Sequence, residues 1–299
     1  MKQPSPTLLD PLAIQHAESL GLHARFIVEG YMAGEHKSPF RGFAVEFTQH
    51  REYSPGDDTR HLDWKVLGRT DRYYLKQYEQ ETNYVAHILL DGSASMKYGS
   101  GSITKLHYGK MMAAVLTYLI LNQRDAVSVG IFDTTVRSHL PRTGSLASII
   151  NIMNILASFN PASQTSIGAV LHELAGQIKR KGIVIIISDL FDDEEKILKG
   201  IQHLRFGGSE VIVFHVMDPF ELDFPFMGLI EFEGLENQPK ILTRPREIRK
   251  SYLQQLHAFQ TKLGEGCERN NVHYTLVNTG HALQEILGAY LSFRLKTTK

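Results

Sequence analysis

The chain has 299 residues and a mass of 33.8 kDa, a size that suits two domains or one large α/β domain with additions. Hydrophobic residues make up 42% and charged residues 21%, close to the globular average, which excludes wholesale disorder. Basic and acidic residues number 32 each, and this balance argues against a protein that coats nucleic acid. The single cysteine, Cys267, excludes an intramolecular disulfide and a multi-thiolate metal site, and it fits a reducing compartment.

The sequence gives no indication of export or of membrane insertion. The first nine residues include Lys2, Pro4 and Pro6, and no apolar stretch of the kind found in secretory signals follows them. The most apolar run, Ile183 to Ile187, is far shorter than the ~20 residues of a membrane-spanning helix. We therefore expect a cytoplasmic protein without a membrane span.

The first part of the chain predicts a helix followed by a small β-containing extension. Between Pro11 and Met32, apolar residues recur at steps of three and four, the period of an amphipathic helix. The stretch from Arg41 to Glu81 is rich in charge, glycine and aromatic residues, with short β-like pieces at Phe43–Phe47 and Tyr73–Tyr78. We place the end of this N-terminal region at residue 82.

From Tyr84 onward, strand patterns alternate with helix patterns, as in a doubly wound, mostly parallel, Rossmann-like α/β sheet. The predicted strands are Val85–Leu90, Val127–Phe132, Val136–Leu140, Ile183–Ser188, Val211–Met217 and His273–Val277. The predicted helices are Lys105–Asn122, Ser145–Phe159, Ser166–Lys181, Asp193–Phe206, Arg246–Leu263 and His281–Phe293. Residues 83–299 thus form one α/β domain, with an irregular insert near residues 219–243 that contains a short β-pair.

The segment Asp91-Gly-Ser93-Ala-Ser95 carries the chemistry that is easiest to interpret, because it directly follows a predicted buried strand. Ligands of open α/β sheets bind at the carboxyl ends of strands. In an extended loop, a carboxylate and two hydroxyls spaced two residues apart can turn toward one point. Such hard oxygen donors suit Mg²⁺ or Mn²⁺.

Two further places supply oxygen donors for the same edge of the sheet. Thr165 opens a predicted helix, and Asp189 ends the predicted strand Ile183–Ser188. Each residue also has an ordinary interpretation: Asp and Ser are common in loops, Thr165 suits a helix cap, and Asp189 suits a helix entry. Taken together, the donors predict a metal site made of Asp91, Ser93, Ser95, Thr165 and Asp189.

This pattern, Asp-x-Ser-x-Ser followed by Thr and then Asp, resembles the metal-ion-dependent adhesion site of von Willebrand factor A domains. The upstream run from Arg51 to Trp64 reads R-E-Y-S-P-G-D-D-T-R-H-L-D-W and resembles the signature R-x-Y-x-x-G-D-x-x-R-x-I-D-W of bacterial DUF58 proteins. Leu62 stands where that family often has Ile. The resemblance covers roughly residues 40–220 and implies a Rossmann-like sheet with the metal loop at its top edge.

The resemblance implies a function in metal-dependent protein–protein interaction, in which an Asp or Glu of the partner completes the coordination of the metal. It also implies an adaptor or chaperone-like role beside a MoxR-type AAA+ ATPase. Nothing in the donor set resembles a nucleophile or general base held by a second group, so we expect no enzyme activity. The alternative is a Mg²⁺-dependent phosphoryl-transfer or hydrolytic enzyme that uses Asp91 and Asp189. Phosphate-binding loops, dinucleotide fingerprints and zinc-protease motifs do not occur in the sequence.

The charged segment from Arg51 to Trp64 has two interpretations. It is either a structural clasp, in which Arg–carboxylate pairs and Trp64 fasten the segment to the sheet, or a recognition surface. We favour the clasp, which predicts a buried Trp64. The basic run Arg244 to Lys250 is interpreted as the solvated start of a helix and not as a nucleic-acid site, because Glu247 interrupts it.

Overall fold

The structure is a computed structural model that describes residues 45–53, 63–80, 85–122, 125–161, 166–178, 182–235 and 240–297. These residues fall into two compact units, one up to residue 80 and the other from residue 85 onward. The helix predicted between Pro11 and Met32 lies outside the described residues.

The smaller unit consists of β1 (Val45–Glu52), α1 (Trp64–Thr70) and β2 (Tyr74–Gln80). The two strands pair antiparallel, as the two β-like pieces predict. Helix α1 was not predicted, because the stretch that contains it is dominated by turn residues. Asp63 caps the N-terminus of this helix, since its carboxylate accepts a hydrogen bond from the N–H of Val66 at 3.3 Å.

The prediction of a buried Trp64 is wrong, because the indole is 67% exposed. Trp64 occupies the first position of α1, and the buried residue at this point of the chain is its neighbour Asp63. The other charged residues assigned to the clasp lie outside the described residues or belong to side chains that are not described: Arg51, Asp57, Asp58 and Arg60.

The larger unit is built on a six-stranded sheet, which confirms the predicted α/β class. Its elements and those of a separate hairpin are β3 (Val85–Asp91), β4 (Ala126–Phe132), β5 (Val136–Thr143), β6 (Ile183–Ser188), β7 (Glu210–Met217), β8 (Ile230–Phe232), β9 (Ile241–Thr243) and β10 (His273–Asn278). The six strands lie in the order β10-β7-β6-β3-β4-β5, and β8 pairs with β9. Every neighbouring pair in the large sheet is parallel except β4 and β5.

Helices cover both faces of this sheet. The helices of this unit are α2 (Lys105–Asn122), α3 (Ile149–Ser158), α4 (Ile167–Gln177), α5 (Glu194–Phe206), α6 (Pro219–Asp223), α7 (Pro245–Arg269) and α8 (Leu283–Thr297). Helices α2, α3 and α8 contribute to the hydrophobic core on one face, and α4, α5 and α7 to the core on the other. Along β3, Ile88 and Leu90 belong to the first core and Leu89 to the second, since successive side chains of a strand point to opposite faces.

Two helices differ from their predictions for reasons that can be identified. Helix α6 lies in the segment expected to be irregular, where Asp218 caps it and Pro219 takes its first position. Helix α7 runs to Arg269 and not to Leu263, because burial of Leu263 and Cys267 outweighs the low helix propensity of the intervening glycines. None of the helices in the described residues combines the length and hydropathy needed to cross a bilayer.

The order of the strands creates one switch point in the sheet. The chain leaves β3 toward α2 on one face and leaves β6 toward α5 on the other face, although β3 and β6 are neighbours. The loops that follow these two strands therefore diverge from the same edge and leave a crevice between them, which is where open α/β sheets bind ligands. Asp91 and Asp189 stand at the ends of these two strands.

The close packing of α4 on α5 depends on Gly168, where an added Cβ would come within 2.8 Å of the backbone of Lys196. We expect Gly168→Ala to lower the free energy of unfolding by roughly 1–3 kcal/mol, the usual cost of overpacking. Gly176 in the same helix is the matched control, because nothing lies within 4 Å of a Cβ built there. Urea denaturation of the two variants should show a loss only for Gly168→Ala, and equal stabilities would contradict the packing argument.

Candidate metal centre

The structure brings Asp91, Ser93, Ser95 and Asp189 into one hydrogen-bonded cluster at the switch point. Ser93 Oγ lies 3.0 Å from Ser95 Oγ, and both Ser93 and Asp91 are fully buried. The Ser95 hydroxyl in turn makes a hydrogen bond with the Asp189 carboxylate. The fifth predicted residue, Thr165, lies outside the described residues.

The loop after β3 is held rigidly in place by its backbone and by one buried side chain. The N–H of Gly92 donates to the carbonyl of Phe132 on the neighbouring strand at 2.6 Å. A Cβ at Gly92 would lie 2.4 Å from the ring of Phe159, so this position accepts only glycine without a rearrangement. Met96, in the short 3₁₀ turn that follows, is fully buried in the core. The sequence Gly-Ser-Ala-Ser-Met therefore fixes where the two hydroxyls lie.

Asp91 is a buried carboxylate held by neutral donors. Its Oδ1 accepts the N–H of Ser93 at 2.9 Å, and its Oδ2 accepts the hydroxyl of Ser188 at 2.5 Å. Burial and the nearby Asp189 raise the pKa of Asp91 well above its usual range, and the hydrogen bonds offset this only in part. Within the described part of the chain, no lysine or arginine forms an ion pair with it. When Asp91 is ionised, the site therefore contains a negative charge that none of the described lysines and arginines pairs with directly.

Asp189, unlike Asp91, is paired with a cationic side chain. Its Oδ2 lies 2.8 Å from Nζ of Lys105, and both side chains are only 3% exposed. Burial opposes ionisation of Asp189, but the Lys105 ammonium outweighs it and keeps the pKa of Asp189 below its usual range. The same ammonium lies 2.7 Å from Oε1 of Glu221 in α6. One lysine therefore joins the sheet edge to the segment that follows β7.

Lys105, Glu221 and Ser188 are site residues that the sequence reasoning missed. A signal for Lys105 existed, because a lysine at the first position of a helix is disfavoured by the helix dipole and needs a nearby carboxylate to be stable. Asp218 adds a second link from the same segment, since its Oδ2 accepts the N–H of Ser100 at 2.8 Å. Ser100 lies in the connection between β3 and α2, residues 92–104, which we call the metal loop. The start of the predicted irregular insert is thus attached to the site.

His215 on β7 contacts the backbone of the site at Asp189. Its imidazole makes a hydrogen bond to the backbone of Asp189, and its Nδ1 lies 2.6 Å from the hydroxyl of Tyr274. Burial lowers the pKa of His215 to about 4, so the ring is neutral at physiological pH. Both ring nitrogens are engaged, which makes His215 a residue that positions the Asp189 backbone.

The donor set fits one hard divalent cation. With Asp91, Asp189, Glu221 and Lys105 all ionised, the cluster has a formal charge of −2, which a Mg²⁺ or Mn²⁺ ion would balance. Clusters of three or more His, Cys, Asp or Glu side chains suited to a metal are absent from the described residues. The hydroxyls of Ser93 and Ser95 are therefore required to complete any site here, and hydroxyl oxygens suit Mg²⁺ better than soft metals.

Comparison with known proteins assigns the chain to a family. The sequence profile described as "Protein of unknown function DUF58" matches residues 49–262, more than half of the chain. The chain belongs to the DUF58 family. This DUF58 protein is 23% identical over 233 residues to Uncharacterized protein Rv1480 of Mycobacterium tuberculosis and to Uncharacterized protein Mb1516 of Mycobacterium bovis. The matched part is 76% of this chain and 72% of each relative. The match to the family profile confirms the resemblance to DUF58 proteins seen in the sequence.

Solved structures similar to this DUF58 protein include BatB from Bacteroides thetaiotaomicron, with 18% identity and a TM-score of 0.47 over 71% of this chain and 99% of that one. An aerotolerance-related membrane protein from Bacteroides fragilis gives 20% identity and a TM-score of 0.48, over 72% and 99% of the two chains. The SpRpn10 VWA domain gives 12% identity and a TM-score of 0.39, over 72% and 95%.

The burial of Asp91 predicts an unusual pH dependence of stability. Its pKa is higher in the folded protein than in the unfolded chain, so its ionisation lowers the stability as the pH rises above about 4. In EDTA, we expect Asp91→Asn to be more stable than the wild type at pH 8, by roughly 1–3 kcal/mol. The difference should shrink toward pH 5, and chemical denaturation at the two pH values measures it.

Asp133 is the matched control for this prediction, because it is a buried carboxylate just after β4 whose Oδ2 lies 2.7 Å from Nε of Arg137. Burial opposes its ionisation, but hydrogen bonds from Arg137 and the backbone outweigh burial and lower the pKa of Asp133. Asp133→Asn should therefore lose stability at neutral pH. If both variants lost stability equally, Asp91 would not be an unbalanced charge.

Proposed function

We propose that this protein is a metal-dependent protein–protein interaction module. One Mg²⁺ or Mn²⁺ ion is held by Asp91, Ser93, Ser95, Thr165 and Asp189, and an Asp or Glu of a partner protein completes its coordination. The observation that carries the proposal is the buried Asp91 carboxylate, whose hydrogen-bond donors among the described residues are neutral and which lies beside the hydroxyls of Ser93 and Ser95.

The charges of the site explain why a partner carboxylate is favoured. Three hydroxyls are neutral, and one of the two carboxylates, Asp189, already shares its charge with Lys105. A divalent cation held by this set keeps part of its positive charge. An anionic side chain from a partner neutralises the remainder, and the interaction strengthens as the interface excludes water.

An exposed aromatic side chain beside the site supplies an apolar contact for such a partner. Phe191 lies two residues beyond Asp189 and is 58% exposed. Its N–H donates to Oδ1 of Asp189 at 3.3 Å, which ties its backbone to the site. Aromatic residues near the centre of an interface often contribute most of the binding energy.

The partner that the family resemblance suggests is a MoxR-type AAA+ ATPase, with this protein acting as an adaptor or chaperone-like subunit. Nucleic acid is not the proposed partner, because the chain has a formal net charge of zero. We propose a cytoplasmic location, where a protein of this kind would meet an ATPase partner.

Catalysis is the competing function, and it would require Asp91 and Asp189 to act on a phosphate or ester with the metal. The imidazole of His215, which contacts the Asp189 backbone, has both ring nitrogens occupied by Tyr274 and that backbone. The donor set supports binding better for that reason. A screen of phosphatase and nucleotidase substrates with Mg²⁺ present would detect the competing function.

Metal binding should stabilise the folded protein. At a Mg²⁺ concentration 100 times the Kd, linkage predicts a gain of about 2.7 kcal/mol in the free energy of unfolding. Asp91→Asn and Ser93→Ala should lose this gain while remaining folded. Thermal denaturation in MgCl₂ and in EDTA measures the effect, and calorimetric titration with MgCl₂ gives the Kd. Equal stabilisation of wild type and Asp91→Asn would contradict the proposed site.

Partner binding should require both the metal and Phe191. We expect a purified MoxR-type ATPase from the same organism to bind the wild type in MgCl₂ and not in EDTA. Phe191→Ala should weaken binding roughly tenfold or more, as hot-spot truncation does, without changing the Kd for Mg²⁺. Phe206, 80% exposed at the end of α5 and away from this edge, provides the control variant Phe206→Ala. Binding that ignores EDTA, Ser93→Ala and Phe191→Ala would place the interaction on another surface.

A further inference from the structure

Lys105 is a second cation built into the proposed metal centre. Its Nζ lies 2.8 Å from Oδ2 of Asp189, a carboxylate that the metal would also use. It lies 2.7 Å from Oε1 of Glu221, which takes no part in the proposed metal site. Its side chain is almost completely buried. An ammonium group in this position affects any cation that enters the site.

We propose that Lys105 sets the affinity of the site for divalent cations, by competing with them for Asp189, and that Glu221 is the carboxylate that keeps Lys105 paired when a metal is bound. The proposal rests on the proposed function, since it concerns the same site. It assigns an affinity-determining role to two residues outside the predicted donor set.

Two electrostatic effects support the competition. A divalent ion and an ammonium repel each other strongly when both lie against one buried carboxylate, because the surroundings screen charge far less than water does. A buried ammonium also needs a carboxylate partner, so Lys105 cannot give up Asp189 without another one. Glu221 already lies within hydrogen-bond distance, so that partner is in place.

The position of Glu221 is fixed independently of Lys105. Its Oε2 accepts the N–H of Asp218 at 2.9 Å, as part of the capping box of α6. Asp218 itself accepts the N–H of Ser100 in the metal loop. Glu221 is therefore held beside the site by backbone contacts, and it can retain the ammonium without a movement of α6.

The experiment is a calorimetric titration with MgCl₂, and separately with MnCl₂, of the wild type and four variants of the full chain. We expect Lys105→Met to bind at least tenfold more tightly than the wild type, which corresponds to about 1.4 kcal/mol. Glu221→Gln should bind severalfold more weakly, because Lys105 is then left to Asp189 alone. Circular dichroism before each titration verifies folding, and Glu221→Gln still tests the proposal if Lys105→Met fails to fold.

The controls remove the same charges from exposed positions near the same edge. Lys97 is exposed in the short 3₁₀ turn within the metal loop, and Glu195 is exposed in the first turn of α5. Lys97→Met and Glu195→Gln should bind Mg²⁺ as the wild type does, which separates a local effect from a change in net charge.

Three results would overturn the proposal in distinguishable ways. If the wild type binds metal and Lys105→Met binds it equally or more weakly, Lys105 does not compete, and the metal function stands. If Lys97→Met tightens binding as much as Lys105→Met does, the effect is one of net charge alone. If neither the wild type nor Lys105→Met binds either cation, the proposed metal function fails together with the role of Lys105.

Discussion

The charge of Asp91 at the centre of the sheet is the constraint on which the arrangement of the site depends. β3 lies between β4 and β6, and helices cover both faces, so the carboxylate at its end is removed from water. An ionised group in such a place costs several kcal/mol unless it is compensated. The Ser93 N–H and the Ser188 hydroxyl provide hydrogen bonds but no positive charge. The structure thus supports an acidic group at the position where a cation would be most strongly attracted.

The ion pairs around Lys105 extend this constraint beyond the two central strands. Lys105, at the start of α2, contacts Asp189 after β6 and Glu221 in α6, so three separate parts of the chain meet at one ammonium group. Each carboxylate makes burial of the lysine tolerable, and the lysine makes burial of the carboxylates tolerable. The capping box of α6 and its contact to Ser100 complete the link. The segment after β7 is therefore part of the environment of the site.

Much of the larger unit could be predicted because its elements have strong local patterns. Ile183–Ser188 is a continuous β-branched run, and the structure has a strand with these bounds, buried on both faces. Lys105–Asn122 also has the predicted bounds. The predictions failed where the signal was short or contradictory: α6 has only five residues, α7 continues through glycines, and Trp64 begins a helix within a turn-rich stretch.

Local sequence patterns were enough to identify the donors that end the two central strands, because a strand pattern followed by Asp or Ser is recognisable without any long-range information. It could not determine which charges meet. Lys105 lies 84 residues from Asp189 and 116 from Glu221, and their contacts exist only because the strand order places β6 beside β3 and β7 beside β6. Hydrophobic periodicity specifies which face of an element is buried, and it carries no information about which elements become neighbours. The arrangement of the strands is therefore the reason that Asp189 is paired with Lys105, whereas the donors to Asp91 among the described residues, the Ser93 N–H and the Ser188 hydroxyl, are neutral.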